Sequence, residues 1–463
     1  MPIPQTQAAK PGLLRQLGFF SATALVISNM VGGGIFATTG YMAGDLGSAA
    51  LILACWGVGA LFAFAGAMSY SELGINFPSS GGEYVYLTQA FGPEWGFMTG
   101  WVSFFAGFSA PIAAATLAAA NYLAAIVPSL RSENTLFTLG HGTLSLSIGP
   151  AQIAASALIA VLTTLNCIGL GLTSKVQNFL TSSKLLIIVG FVVLGFAFGD
   201  GSWSNFSAHA VRTSTNSLPT QFIISLLWVM FGYSGWNAAT YVAEEVRRPE
   251  RTLPLALATG SALVAVLYLA LNMIYIYATP LESMKGVIAV GSLSAANLFG
   301  RSVGAMFSGL LAFCLVSTVN AELTVGPRVY YAMAKNRAFF RSAARVHPRF
   351  HTPAVAIISQ GVCAIVMTLT PFRDLLTYIG MSLTFFTVLS VASLFVFRKR
   401  QAGWQRLRVV QFAFPLVPAS YILVGTCMMI YGLMNATVPS VTALGTVGLG
   451  ALVYRFFIRS RQA

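Results

Sequence analysis

The chain has 463 residues, of which 56% are hydrophobic and 8% are charged, and its mean hydropathy is +0.76. Soluble domains carry roughly a quarter charged residues, so this composition argues against a water-soluble fold. The formal net charge of +14 does not indicate nucleic-acid binding, because the basic residues lie in short segments between apolar stretches.

Apolar stretches long enough to cross a bilayer, roughly 20 residues each, recur from Leu17 to Phe457. Turn residues and charge clusters divide them into about twelve transmembrane helices. They are predicted at 17–46, 48–75, 91–128, 150–169, 176–199, 218–245, 252–279, 293–334, 354–371, 373–397, 411–433 and 436–458. The sequence therefore predicts an all-α membrane protein.

The basic residues predict the orientation of these helices. If the N-terminus is cytoplasmic, the outer segments keep only five of the 26 Lys and Arg residues, namely Arg131, Arg212, Lys285, Arg301 and Arg373. Such a bias is typical of the positive-inside rule. We expect a multi-pass protein of the inner or plasma membrane with a cytoplasmic N-terminal tail (1–16) and C-terminal tail (459–463).

No pattern in the sequence indicates an enzyme, a metal site or a cofactor. No HExxH, GxSxG or nucleotide-binding P-loop occurs, and no paired aspartates lie at membrane depth. The cysteines lie inside apolar stretches without CxxC or metal-ligand spacing, at Cys55, Cys167, Cys314, Cys363 and Cys427. We expect them to be small buried apolar side chains.

The first span contains three consecutive glycines, Gly32 to Gly34, which loosen a helix at little cost. Unpaired backbone groups cannot face lipid, so an unwound segment at this depth must face a cavity or a ligand. The alternative is that these small residues allow close helix packing. The sixth span has a second interruption at 231–237, with Gly232, Gly235 and polar neighbours.

If the first five helices (17–199) and the next five (218–397) are inverted repeats, the two interruptions correspond and meet near the midplane, as in LeuT-like transporters. Two further helices (411–458) would follow. An unwound first helix presents N–H groups near Gly33 to Phe36, which favour an anion, and carbonyls near Asn29 to Val31, which favour a cation. A zwitterion of α-amino acid size satisfies both.

Several motifs together resemble the amino acid–polyamine–organocation superfamily, and their order is similar to its L-type amino acid transporter branch to about residue 400. They are Gly32-Gly33-Gly34-Ile35-Phe36, Tyr70-Ser71-Glu72-Leu73-Gly74, Ser80-Gly81-Gly82-Glu83-Tyr84, Phe231 to Asn237 followed by Glu244-Glu245, and Val319-Asn320 with Arg328 downstream.

The resemblance implies which residues bind the substrate. The first-helix residues that would hold the carboxylate and the amine are Met30, Val31, Gly32, Gly33, Gly34 and Ile35. Gly33 stands where the family usually has serine, so one hydroxyl donor is lost. Phe231 would close over the substrate, and Gly232 belongs to the same loosened segment. Ser234 replaces a common glycine and narrows the pocket, which favours small substrates.

The animal L-type carriers attach to a glycoprotein through a cysteine in the loop after helix 3. Residues 129–149 contain no cysteine, so we expect no disulfide-linked partner.

Three polar residues are candidates for coupling and gating. Lys184 lies within the fifth span, where an unpaired cation costs at least about 2.5–3.5 kcal/mol, and the resemblance places it where a lysine replaces a sodium ion and ties helix 5 to helix 1. Glu322 departs from the small residue of the family; it would pair with Lys184, carry a proton, meet a cationic substrate side chain or face a solvated vestibule. Asn237 would brace the sixth helix.

We also expect Glu72, Glu83, Glu244 and Glu245, at cytoplasmic helix ends, either to form inner-gate ion pairs with Arg247, Arg248, Arg328 and other bases or to be solvated.

These features favour a sodium-independent carrier of small neutral L-amino acids, working by exchange or uniport, in which helices 1, 2, 6 and 7 rock against the others. A proton-coupled symporter is the first alternative, and a basic amino acid or polyamine carrier the next. A channel or a non-transporting receptor is compatible with the same helices.

Overall fold

The computed structural model describes residues 15, 17–79, 81–139, 146–168, 170–348, 350, 352–400 and 402–459, with the backbone alone for 170–178, 245 and 332. Ser80, the first residue of one family motif, and most of the two predicted tails lie outside the described residues.

The described chain is helical apart from its connections and one short hairpin. The α-helices are α1 Phe19–Met30, α2 Gly33–Leu46, α3 Ala49–Asn76, α4 Glu83–Phe91, α5 Pro93–Val102, α6 Ala110–Leu123, α7 Pro150–Ile168, α8 Leu170–Phe198, α9 Leu218–Tyr233, α10 Ala238–Tyr241, α11 Pro249–Ala278, α12 Leu281–Met284, α13 Val290–Phe299, α14 Arg301–Lys335, α15 Ala354–Met367, α16 Phe372–Arg400, α17 Arg408–Phe412, α18 Leu416–Asn435 and α19 Thr437–Val453. Antiparallel strands β1 Phe137–Leu139 and β2 Leu146–Ile148 pair with Phe137 opposite Ile148.

Among the described residues, eleven helical segments are long and apolar enough to cross a membrane. They coincide with eleven of the predicted spans, and the shorter apolar helix α15 lies at the position predicted for the ninth. The predicted all-α membrane fold is therefore confirmed. We number the spans as predicted, so that α1 and α2 form the first, α9 and α10 the sixth, and α14 the eighth.

Two predicted helices differ in detail. The eighth, expected over 293–334, is divided into α13 and α14 at Gly300, whose φ of +83° favours glycine. The third, expected over 91–128, begins at Pro93 and contains a π-helical stretch, Ser103–Ser109, between α5 and α6. The division at Gly300 was missed because a single glycine inside an apolar run does not change the local hydropathy. The turn depends on the positive φ that glycine allows.

Local sequence signals account for several helix ends. Proline begins α5 and α11, at Pro93 and Pro249, where its missing N–H costs no helical hydrogen bond. Gly47 ends α2 in the left-handed conformation, with φ of +66°, and donates its N–H to the Ala43 carbonyl.

The core between the second, sixth and seventh spans is aromatic. Trp56 of α3, Tyr233 of α9 and Tyr268 of α11 are all buried, with ring centroids 5.6, 5.3 and 5.0 Å apart. This cluster lies directly beside the two helix interruptions, so rigid rings support the region where the backbone is irregular.

Candidate functional site

The first span is interrupted where the glycine run predicts. α1 ends at Met30 and α2 begins at Gly33, while Val31 (ψ 92°) and Gly32 (φ −143°, ψ −158°) leave the helical conformation. Only these two residues lie between the helices. The predicted break is therefore confirmed, although Gly32 is the one residue of the motif Gly32 to Phe36 that lies outside the helices.

The sixth span is interrupted as well. α9 ends at Tyr233, Ser234 is extended (ψ 149°), and α10 begins at Ala238. Gly235 has φ of +97°, a conformation that L side chains rarely adopt. The Ser234 hydroxyl donates to the Phe231 carbonyl at 2.7 Å and so satisfies one of the backbone groups freed at the end of α9.

The two interruptions touch each other. A Cβ atom added to Gly34 would lie 2.3 Å from Cα of Gly232 and 3.3 Å from the Phe231 ring. A Cβ on Gly235 would lie 2.7 Å from the carbonyl carbon of Asn29. The glycines thus serve both purposes weighed from the sequence, since the same runs loosen the helices and permit backbone-to-backbone packing.

Tyr268 of the seventh span links both interruptions, and the sequence analysis missed it. Its hydroxyl lies 2.5 Å from the Met30 carbonyl oxygen and 2.9 Å from the Gly232 carbonyl oxygen. One hydroxyl has a single proton, so it can donate to one carbonyl at a time. A tyrosine in an apolar helix is ordinarily a core residue, and nothing in its sequence context indicated this contact.

The ammonium of Lys184 binds the end of α1. The side chain is fully buried, and Nζ donates to the Val31 carbonyl at 2.7 Å, to Thr318 Oγ1 at 2.9 Å and to the Ser28 carbonyl at 3.5 Å. Thr318 in turn donates to the Val31 carbonyl at 2.9 Å. A cation therefore sits where the sequence predicts carbonyls that favour one.

Glu322 of α14 lies deep in the protein with 9% of its surface exposed, and its Oε2 atom has no hydrogen-bond partner among the described residues. The expected ion pair between Glu322 and Lys184 is not formed, because the Lys184 ammonium does not lie within 4 Å of the Glu322 carboxylate oxygens. The prediction of this pair is therefore wrong. Lys184 is satisfied by backbone and hydroxyl oxygens instead.

A small cavity lies beside the interruptions, on the side of α1 and α10. Its lining includes Asn29, Ser234, Asn237 and Glu322, and it encloses about 70 Å³. At about 10–15 Å³ for each water-sized atom, this is room for roughly five to seven such atoms. Phe231 and the predicted residues from Met30 to Ile35, with Gly232, do not line it; they pack against one another next to it.

Asn237 braces the inner part of the sixth span. Its amide donates to Glu83 Oε1 at 3.0 Å and to the Tyr241 hydroxyl at 3.3 Å. Glu83, which precedes the third span, also accepts from Tyr70 at 2.7 Å and from Thr99 at 3.3 Å. Burial raises the pKa of the Glu83 carboxyl, and these hydrogen bonds oppose the rise.

Of the ion pairs expected from the sequence, Glu72 forms one with a base, whereas Glu83 forms none with the described residues. Glu72 is fully buried and accepts from Arg398 Nε at 2.7 Å, Arg398 Nη2 at 2.6 Å, Trp404 Nε1 at 2.7 Å and the Leu407 N–H at 3.1 Å. Glu83 binds hydroxyl and amide groups rather than Arg247, Arg248 or Arg328. Packing brings α16 and the loop after it, rather than the loop after the sixth span, to the Glu72 carboxylate.

Long apolar helices, two of them broken at touching positions beside a small cavity lined in part by polar groups, define a multi-pass membrane protein. The model of the family described as amino acid permease matches residues 17–454, so the chain belongs to the amino acid permease family. This confirms the superfamily that the motifs resemble.

Curated relatives match over most of the chain. The serine/threonine exchanger SteT of Bacillus subtilis is 29% identical over 461 residues, which cover 98% of both chains. The b(0,+)-type amino acid transporter 1 of Mus musculus is 26% identical, covering 89% of this chain and 82% of its own. The large neutral amino acids transporter small subunit 2 of Homo sapiens is 26% identical, covering 96% and 80%.

Proposed function

We propose that this protein is a sodium-independent exchanger of small neutral L-amino acids that works by alternating access. The observation that carries the proposal is the buried Lys184 ammonium, 2.7 Å from the Val31 carbonyl and 2.9 Å from Thr318. The carbonyl end of a broken helix ordinarily attracts a metal cation, and here a side chain supplies the charge permanently. A sodium ion is then unnecessary for holding the first span.

The size of the cavity and the name of one relative support the proposed substrate class. The cavity, whose lining includes Ser234, holds roughly five to seven water-sized atoms. The relative with near-complete coverage is called a serine/threonine exchanger, which supports both small substrates and exchange. In the proposed cycle, the carboxylate and amine bind at residues 30–35 after the contact between Gly34 and Gly232 opens, and Phe231 closes over them.

The proposal includes the architecture and the orientation. Residues 17–199 and 218–397 form two inverted five-helix repeats of LeuT-like type, followed by two helices over 411–458. Both termini face the cytoplasm of a cell membrane, as the distribution of basic residues favours. No disulfide-linked partner is expected, because 129–149 contain no cysteine.

Proton-coupled symport is the second candidate, and the buried carboxylate of Glu322 favours it. Proteoliposomes distinguish the two functions. We expect labelled serine to enter only when the vesicles contain amino acid, at the same rate in sodium and choline buffers and without response to an imposed pH gradient. Uptake into empty vesicles that follows a pH gradient would establish symport, and a requirement for sodium would contradict both.

A further inference from the structure

Glu322 is the charged group for which neither the fold nor the proposed transport cycle accounts. Its carboxylate is buried, yet it lacks the counter-ion that Glu72 has in Arg398. An unpaired buried carboxylate oxygen carries the full cost of lost hydration. Such a group persists when a ligand or a partner completes its hydrogen bonding.

Glu322 belongs to the lining of the cavity beside the two interruptions. Glu322 faces this space together with Asn29 of the first span and Ser234 of the sixth. The lining contains Glu83 and Glu322 but no lysine or arginine among the described residues. Glu83 already accepts hydrogen bonds from three donors, whereas Glu322 Oε2 has no partner among the described residues.

The rest of the lining is rich in hydroxyl groups, which belong to Ser103, Ser234, Tyr241, Thr384, Thr387 and Tyr421. Ser234 and Thr387 already donate their protons to backbone carbonyls, so toward the cavity these two can only accept. A ligand side chain that brings its own donor fits this surface better than an aliphatic one.

Resting on the function proposed above, we infer that Glu322 selects substrates whose side chain carries a hydroxyl group, by accepting a hydrogen bond from it. The hydroxyl class is favoured over an ammonium because the cavity, about 70 Å³, is small for an extended basic side chain. Alanine and valine, which lack the donor, leave the carboxylate unpaired.

The test uses two nearly isosteric pairs, serine against alanine and threonine against valine, as external substrates for exchange by the full-length protein in proteoliposomes. We expect a preference for the hydroxyl member on the order of tenfold in each pair, because hydrogen bonds to charged groups are among the stronger ones. In Glu322→Leu the ratio should fall to about one. Glu322→Gln, which keeps an acceptor oxygen, should retain part of it.

Glu133→Gln, at an exposed carboxylate of the outer loop, is the matched control and should keep the wild-type ratios. Because ratios are compared within one variant, a partly unfolded preparation lowers both members equally. Equal exchange of all four amino acids by the wild type, or ratios unchanged in Glu322→Leu, would overturn the inference and leave the proposed function intact. Lysine exchanged faster than serine would overturn the hydroxyl class, and a wild type that exchanges none of them would refute the proposed function itself.

Discussion

Lys184 is a charged side chain held entirely by neutral oxygen atoms. Its ammonium binds two carbonyls at the end of α1 and the Thr318 hydroxyl of α14, so one residue joins the first, fifth and eighth spans. The sequence indicated this residue because a lysine deep in an apolar span costs too much to be incidental. Its partners could not be predicted, because every residue has a backbone carbonyl and the sequence does not indicate which of them bind the ammonium.

Lys184→Met keeps the length of the side chain and removes its charge, which leaves the Val31 carbonyl with the Thr318 hydroxyl alone. We expect the initial rate of serine exchange to fall at least about tenfold, and substrate affinity to fall less, because the contact positions the first span rather than the ligand. Lys399→Met, at an exposed position near the end of α16, is the control. Exchange at the wild-type rate in Lys184→Met would remove the lysine from the mechanism.

Tyr268→Phe tests the hydroxyl that lies between the two interruptions. The ring and its packing remain, but the Met30 and Gly232 carbonyls lose their shared donor. We expect a loss of roughly 1–3 kcal/mol in stability, measured as a lower Tm in detergent, together with slower exchange. Tyr277→Phe, in the same helix but with no hydroxyl hydrogen bond to a described residue, should leave both unchanged. Equal Tm values for the two variants would contradict the linking role.

The two broken helices were predictable as elements, because runs of glycine and polar residues are unusual at membrane depth. Their extent was not. The first break leaves only Val31 and Gly32 outside the helices, since Gly33 and Gly34 adopt helical geometry once α2 packs against α9. Glycine permits an irregular backbone, and tertiary contacts decide where it occurs.

Gly235→Ala tests the sixth-span interruption. The added methyl group would force a residue with φ of +97° into strain and would collide with the Asn29 backbone at 2.7 Å. We expect a decrease in stability of roughly 1–3 kcal/mol and a strong loss of exchange. Gly57→Ala, in the middle of α3 with open space around its Cβ position, should be neutral or slightly stabilising. Comparable thermal melts for both alanine variants would show that the left-handed turn is dispensable.

Across the whole bundle, the two ends differ. At the end of the bundle where α2 terminates, Arg373 pairs with Asp45, and Gln221 and Thr213 donate to the same carboxylate at 3.1 Å. Nearby, Gly40 approaches the Val287 carbonyl so closely that a Cβ atom would lie 2.0 Å from it. The cavity lies on the opposite side of the interruptions. The described arrangement is therefore closed at the Asp45 end, which is the outer end in the proposed orientation, and the proposed alternating access requires such a state.

At the other end, the Glu72 cluster, formed by Glu72, Arg398, Trp404 and Leu407, ties α3 to α16 across 326 positions of sequence. Glu72 was recognised from the sequence as part of a motif and as a member of an ion pair, but Arg398 was not singled out as its partner. Several arginines follow the membrane spans, and charge alone cannot rank them when the pairing depends on how the helices pack.

Glu72→Gln leaves the Arg398 guanidinium buried beside an uncharged amide. We expect a loss of roughly 3–5 kcal/mol, seen as a clearly lower Tm, because breaking one member of a buried pair strands the other. Glu133→Ala, at an exposed carboxylate, should change Tm little. A Glu72→Gln protein as stable as the wild type would mean that the cluster is locally solvated.

The single proton of the Tyr268 hydroxyl has two possible acceptors, the Met30 carbonyl oxygen in one broken helix and the Gly232 carbonyl oxygen in the other. The two acceptors compete for this proton, so a stronger hydrogen bond to one carbonyl weakens the hydrogen bond to the other. A ligand ammonium that reached Met30 would take over that acceptor and release the hydroxyl to Gly232. Ligand binding at the first span would thereby strengthen a hydrogen bond at the sixth span. The change requires only the reorientation of the Tyr268 O–H bond and no shift of either backbone.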